Sequence, residues 1–96
     1  MQFSVLTRRK IDQFGEEAFA ALQDAESETV RGLYAEGVIR QIWMRGDVPG
    51  AVLMFEATDE AEVRKHMHTL PMHQAGMLEI LSVVPLKPYR AFCPKK

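Results

Sequence analysis

The chain is 96 residues long and is 47% apolar, 26% charged and 8% aromatic, a composition that builds one small globular domain over residues 1–96 and excludes a low-complexity segment. Twelve lysines and arginines against thirteen acidic residues leave a formal charge of -1, without the cationic field that nucleic acid or an anionic membrane selects. A single cysteine, Cys93, excludes an internal disulfide and a cysteine-based metal site and points to a reducing cytoplasm.

Gln2 to Thr7 sets Phe3 and Val5 against Ser4 and Leu6, the alternation of a short strand that the basic cluster Arg8-Arg9-Lys10 ends. That cluster follows the apolar start, the wrong order for a secretory signal, and no run reaches transmembrane length. From Asp12 to Glu36 the period becomes helical, with Phe14, Ala18, Leu22, Ala25, Val30 and Leu33 on the recurring apolar positions. Asp12 is the expected N-cap, Glu16 and Glu17 suit the positive end of the helix dipole, and Gly37 suits a left-handed stop. Val38 to Arg45 and Ala51 to Ala57 read as strands joined through the turn chemistry of Gly46-Asp47-Val48-Pro49-Gly50. Thr58 or Asp59 caps a second helix, Glu60 to Leu70, with Glu62 placed to complete a capping box with Asp59, Val63, Met67 and Leu70 in one stripe and Pro71 at its end. Met77 to Leu86 is the last strand. The proline-bearing tail 87–96 is extended and polar, and Cys93 within it reads as a bystander rather than a nucleophile.

The order β-α-β-β-α-β is that of a ferredoxin-like α+β fold, two helices on one face of an antiparallel sheet. A sheet with one wet face alternates polar and apolar residues, yet Ala51 to Phe55 is apolar throughout, and Ile80 and Val84 alternate with Leu81 and Val83. At about 25 cal/mol per Å² of apolar surface, an uncovered face of this kind forfeits several kcal/mol. The expected solution is a homodimer, sheet against sheet, closing into a dimeric α+β barrel.

Glu26 is the most unusual position, four residues after Leu22 and four before Val30, on the stripe that should face the sheet. A carboxylate there is desolvated, its pKa rises, and it becomes fit to carry protons near neutral pH. The structural alternative is a helix rotated enough to wet it, or an ion pair with Arg40. Arg40 shares an expected strand face with Val38, Ile42 and Met44, and either clamps a substrate carboxylate or pairs at a dimer edge. Trp43, on the opposite face with Ile39, fits core or interface, with a ligand platform as the alternative. His66, His68 and His73 do not make a metal site, because residues two apart on a helix diverge and Pro71 intervenes before His73. His66 borders the apolar stripe and His73 enters the last strand at a pocket mouth, each either a second proton carrier or a surface imidazole. Leu22 and Phe55 join Trp43 and His73 as the expected substrate contacts. The sequence has no Gly-rich phosphate loop, no nucleophile elbow and no His-Glu-x-x-His helix.

From about Leu22 to Leu86 the chain resembles the muconolactone isomerases. Glu26, Glu36-Gly37, Arg40 with Trp43 three residues on, Arg45, Phe55, Leu70-Pro71 and Glu79 carry the resemblance in order and without a gap. It implies a small dimeric α+β barrel whose dimers assemble into larger rings, and a 1,3-proton shift in an unsaturated lactone bearing a carboxylate, with neither cofactor nor metal. On it Glu26 matches the helix-one glutamate that carries the proton, and Arg40 matches an arginine of the second strand. The chain departs from the family at Val48, Pro49, Ala51 and Val52, where the family has polar and aromatic residues. It departs again at Met72, His73, Gln74 and Ala75, in place of an aromatic-rich segment. Related barrels have other activities, so the alternatives to an isomerase are a cofactor-free monooxygenase or cyclase of aromatic polyketide-like substrates and a non-catalytic ligand-binding or assembly module. The expected partners are a small-molecule substrate and a second copy, in a homodimer or a higher oligomer, with no nucleic acid and no membrane.

Overall fold

In the computed structural model, which describes residues 1–91, the elements follow in the order β1 (Gln2–Arg9), α1 (Glu16–Ala35), β2 (Ile39–Met44), β3 (Ala51–Glu56), α2 (Glu60–Met67), α3 (Pro71–Gln74) and β4 (Leu78–Leu86). Cys93 and the end of the expected tail lie outside the described residues. β1 runs to Arg9 instead of stopping at Thr7. Its basic residues find partners, since Arg8 bonds Glu79 at 2.8 Å and Asp12 at 3.0 Å, and the Arg9 amide donates to the Pro49 carbonyl. Asp12 is thereby diverted from capping, and α1 begins after Gly15 without a side-chain cap. At its other end Gly37 takes a positive φ of 79°, and the Val38 and Gly37 amides close on the Leu33 and Tyr34 carbonyls, the left-handed stop that glycine permits.

α2 opens as expected, with the Asp59 carboxylate accepting from the Glu62 amide at 2.8 Å, but it ends at Met67. Pro71 does not close this helix; it occupies the first turn of the separate helix α3, where a fixed φ and a missing N–H cost nothing. All helices pack on one face of the sheet. Phe3, Val5, Ile39, Leu53 and Phe55 meet Leu33, Val63, Met67 and Leu70 there, and burying each large apolar side chain stabilises the fold by about 1.5–3 kcal/mol.

The strands are antiparallel in the order β2-β3-β1-β4. This overturns the expected dimeric α+β barrel with two helices: the sheet is open, its edges β2 and β4 are not paired with each other, and three helices cover it. Two irregularities in the ladders also redirect side chains. β2 advances from Ile39, opposite Phe55, to Gln41, opposite Met54, leaving Arg40 as an extra residue. β4 likewise leaves Leu81 extra, between Ser82 opposite Leu6 and Ile80 opposite Thr7. A bulge exchanges the faces of everything beyond it. Ile39, Ile42 and Met44 therefore share the helix side, Trp43 faces the other way, and Ile80 and Val83 both join the core. The outer face carries Leu6, Val52, Met54, Trp43 and Val84, with Trp43 60% exposed. No helix of the described residues is long and apolar enough to cross a membrane.

Candidate active site

Between α1 and the helix side of the sheet lies a cavity of about 450 Å³, within the range of small-molecule sites. Its deep end is formed by the buried residues Thr7, Glu26, Leu53, Met67, Leu70 and Met72, and its open end by the exposed Arg31, Ile42 and Met44. α1 supplies the polar wall. Gln23, Glu26, Ser27, Val30 and Arg31 all line the space because steps of three and four residues return to one side of a helix. β1 supplies Thr7 and Arg9 by continuing the two-residue alternation of Phe3 and Val5 past the point where its composition turns basic.

Glu26 is only 8% exposed. The Met72 amide donates to its Oε1 at 3.0 Å, while Oε2 has no hydrogen-bond donor among the described residues. Burial pushes the carboxyl above the ordinary glutamate range, and the Met72 amide and the nearby Arg9 guanidinium pull it partly back. Arg9 is held by its surroundings: Nη2 donates to Gln23 Oε1 at 3.0 Å, Gln23 Nε2 donates to Ser27 Oγ at 3.0 Å, and the guanidinium lies 5.3 Å from the Phe19 ring centroid. A desolvated carboxyl with one oxygen unengaged, a restrained cation beside it and an apolar floor make an arrangement suited to moving a proton on and off a small organic molecule.

Of the expected site residues, Glu26 alone lines this cavity. Arg40 is exposed, and its Nε donates to the Gly37 carbonyl at 2.7 Å; the bulge takes it off the face shared by Ile42 and Met44. Trp43 stands on the outer face. Phe55 is fully buried in the core, with the His66 ring stacked 6.5 Å away. Leu22 packs against a second small core around Phe19, Met72 and Met77. His73 meets His68 edge-on at 5.5 Å, its Nδ1 buried without a hydrogen-bond partner among the described residues, and burial, then His68 and Lys10, lower its pKa. No group of three His, Cys, Asp or Glu residues among those described is placed to hold a metal ion. Sequence reasoning missed Arg9, Thr7, Gln23, Ser27 and Arg31, though both signals were present: the alternation from Phe3 reaches Arg9, and the three-and-four spacing around Glu26 reaches the helix residues.

The family model described as muconolactone delta-isomerase matches residues 1–91. The fold is similar to that of 5-chloro-2-hydroxyhydroquinone dehydrochlorinase from Burkholderia phenoliruptrix AC1100, solved in complex with 2,5-dihydroxybenzoquinone. The TM-score is 0.65, with 18% identity over 88% of this chain and 89% of that one; at that identity the likeness shows the fold alone. A search of curated proteins found no match.

Proposed function

Since this chain belongs to the muconolactone delta-isomerase family, we propose that it catalyses a cofactor-free double-bond shift in a small unsaturated lactone or related ring compound, with Glu26 as the proton carrier. The observation that carries this reading is the buried Glu26 carboxyl, raised in pKa by desolvation and presenting one unengaged oxygen beside an open cavity. An inert module would fill that space with side chains. In the proposed step the Glu26 carboxylate removes the acidified C–H proton next to the lactone carbonyl. The electron pair moves into a dienolate whose charge rests on the carbonyl oxygen, and the protonated Glu26 returns the proton two carbons away. No atom is gained or lost. A raised pKa makes the carboxylate a stronger base than an exposed glutamate, and the restrained Arg9 guanidinium stabilises the developing oxyanion. Arg40, off the cavity, is assigned no contact with the substrate.

The test is proton exchange from an unsaturated lactone in deuterated water, wild type against Glu26→Gln. Glutamine retains an acceptor for the Met72 amide but is not basic enough to take a proton from carbon. Exchange is expected to fall by about 10²–10⁴-fold; equal rates reject Glu26 as the base.

The second copy belongs to the same proposal. It is supported by the outer face, where Leu6, Val52, Met54 and Val84 surround a largely exposed Trp43, a patch that a partner removes from water. Trp43 is the single tryptophan, so its emission reports that cover: a red shift on dilution, matching dissociation in sedimentation, is expected. A monomer at every concentration contradicts it. A reducing cytoplasmic setting completes the proposal, supported by a chain with a single cysteine.

A further inference from the structure

On the polar wall of the cavity three side chains form a hydrogen-bond chain that runs in one direction. An arginine has donors only, so the Gln23 atom that meets Arg9 Nη2 at 3.0 Å is the carbonyl oxygen Oε1. This fixes the orientation of the Gln23 amide, whose Nε2 therefore donates to Ser27 Oγ at 3.0 Å. A serine hydroxyl has one proton and two acceptor positions. Gln23 fills one of those positions, and the proton of Ser27 must be spent elsewhere.

The described residues give it no acceptor. Thr29, two residues further along α1, returns its hydroxyl proton to the Ala25 carbonyl at 2.9 Å, as hydroxyls inside helices often do; Ser27 makes no such bond among the described residues. Thr7, the other hydroxyl of the cavity lining, is consumed by Ala51, accepting from its amide at 3.1 Å and donating to its carbonyl at 3.4 Å. Ser27 is half-buried, lines the cavity and directly follows Glu26, about 100° around the helix from it and 1.5 Å along the axis. Its unspent proton is thus available beside the group that carries the proton of the proposed reaction.

From this polarity we infer that Ser27 is a further catalytic residue: its hydroxyl donates to the carbonyl oxygen on which the dienolate charge collects, alongside the Arg9 guanidinium, and Gln23 is the positioning residue that turns the Ser27 proton into the cavity. The inference rests on the proton-transfer reading for the charge that Ser27 meets. Ser27 keeps its proton throughout, so Glu26 alone moves a proton between carbons and the balance of the step is unchanged. A hydrogen bond that strengthens as a carbonyl oxygen becomes an oxyanion acts on kcat more than on KM.

The test compares wild type, Ser27→Ala, Gln23→Glu and the double variant. Ser27→Ala is expected to lower kcat for an unsaturated lactone by about 10²-fold, with KM within roughly threefold. Gln23→Glu still accepts from Arg9 but can only accept from Ser27, which draws the hydroxyl proton away from the cavity. It is expected to lower kcat as well, and to have little further effect once Ser27 is alanine. Equal factors in both backgrounds overturn the role of Gln23, because an effect of the added charge or of lost packing does not need the hydroxyl. A second readout needs no turnover: the infrared carbonyl stretch of a bound saturated lactone is expected at lower frequency in wild type than in Ser27→Ala or Gln23→Glu. An unchanged stretch together with an unchanged kcat in Ser27→Ala overturns the inference while leaving Glu26-dependent exchange intact, and so does a wild-type protein that binds no carbonyl probe. A Ser27-dependent stretch in a protein that exchanges no protons retains the donor and rejects the isomerase reading.

Discussion

The two faces of the single sheet are built from nearly the same residue types and meet different fates. Along β3, Leu53 and Phe55 are 2% and 0% exposed, while Val52 and Met54, alternating with them, stay only half-covered. The helix side closes over its apolar residues and keeps polar groups at one end, where Thr7 and Arg9 face Glu26 across the cavity. The outer side has no cover from the described residues and carries Trp43 in the open. Composition therefore does not say which apolar face is core; the side on which the helices return decides it. Among the described residues the buried carboxyl, that of Glu26, lies on the covered side, and the proposed chemistry is placed there for that reason.

The sharpest way to separate the faces is to change one residue on each. Phe55→Ala removes a fully buried ring and is expected to cost about 3–5 kcal/mol in urea unfolding. A change near zero would mean that the helix-side core is wrongly placed. Gly50, at the junction of hairpin and cavity, comes next. A Cβ there presses into the Thr7 carbonyl and meets the Arg8 Cα, so Gly50→Ala is expected to destabilise by about 1–3 kcal/mol, whereas a mobile hairpin would absorb the methyl unnoticed. On the outer face, Val52 lies between Leu6 and Trp43. Val52→Asp is expected to leave the dilute protein folded by circular dichroism while weakening self-association more than about tenfold. Unchanged association would show that the apolar outer face is not the contact.

The smallest effect is a pH dependence with an unusual sign. Glu26 has a raised pKa when folded, so the folded state holds its proton more tightly than the unfolded chain does. Its contribution to stability is full below the ordinary glutamate pKa and is lost as pH rises through the raised value. Asp12, Asp47 and Glu56, held below their usual values by Arg8, Arg45 and the N-terminus respectively, contribute in the opposite sense, losing stability as pH falls. Subtracting Glu26→Gln from wild type isolates the Glu26 part: the variant is expected to gain relative stability as pH rises from the ordinary glutamate pKa through the raised one. A constant difference across that range contradicts a desolvated carboxyl.

Much of the fold was legible because local chemistry and tertiary need agreed. Gly37 ends α1, Asp59 opens α2, and the strands lie close to their expected places. What the sequence hid has physical causes. The bulge at Arg40 breaks the two-residue period without any glycine or proline to mark it, so an arginine expected beside the substrate is directed away from it. Arg9 looked like a strand terminator because its charge masked its place in the inward alternation. Glu26 was legible because an acid on an apolar stripe contradicts its surroundings, and such local contradictions mark functional positions more often than average ones do. The open sheet was illegible because the pairing of edge strands is a global property that no local pattern encodes.

The proposed chemistry depends on the state of one carboxyl group. Titrating the Glu26 side-chain carbon by NMR, in protein labelled at glutamate and assigned with Glu26→Gln, measures that state directly. A midpoint above the range of the exposed glutamates is expected, moving further up when Arg9 is neutralised by Arg9→Gln. A midpoint within or below that range, insensitive to Arg9, would mean that Glu26 sits in water and does not carry the proton.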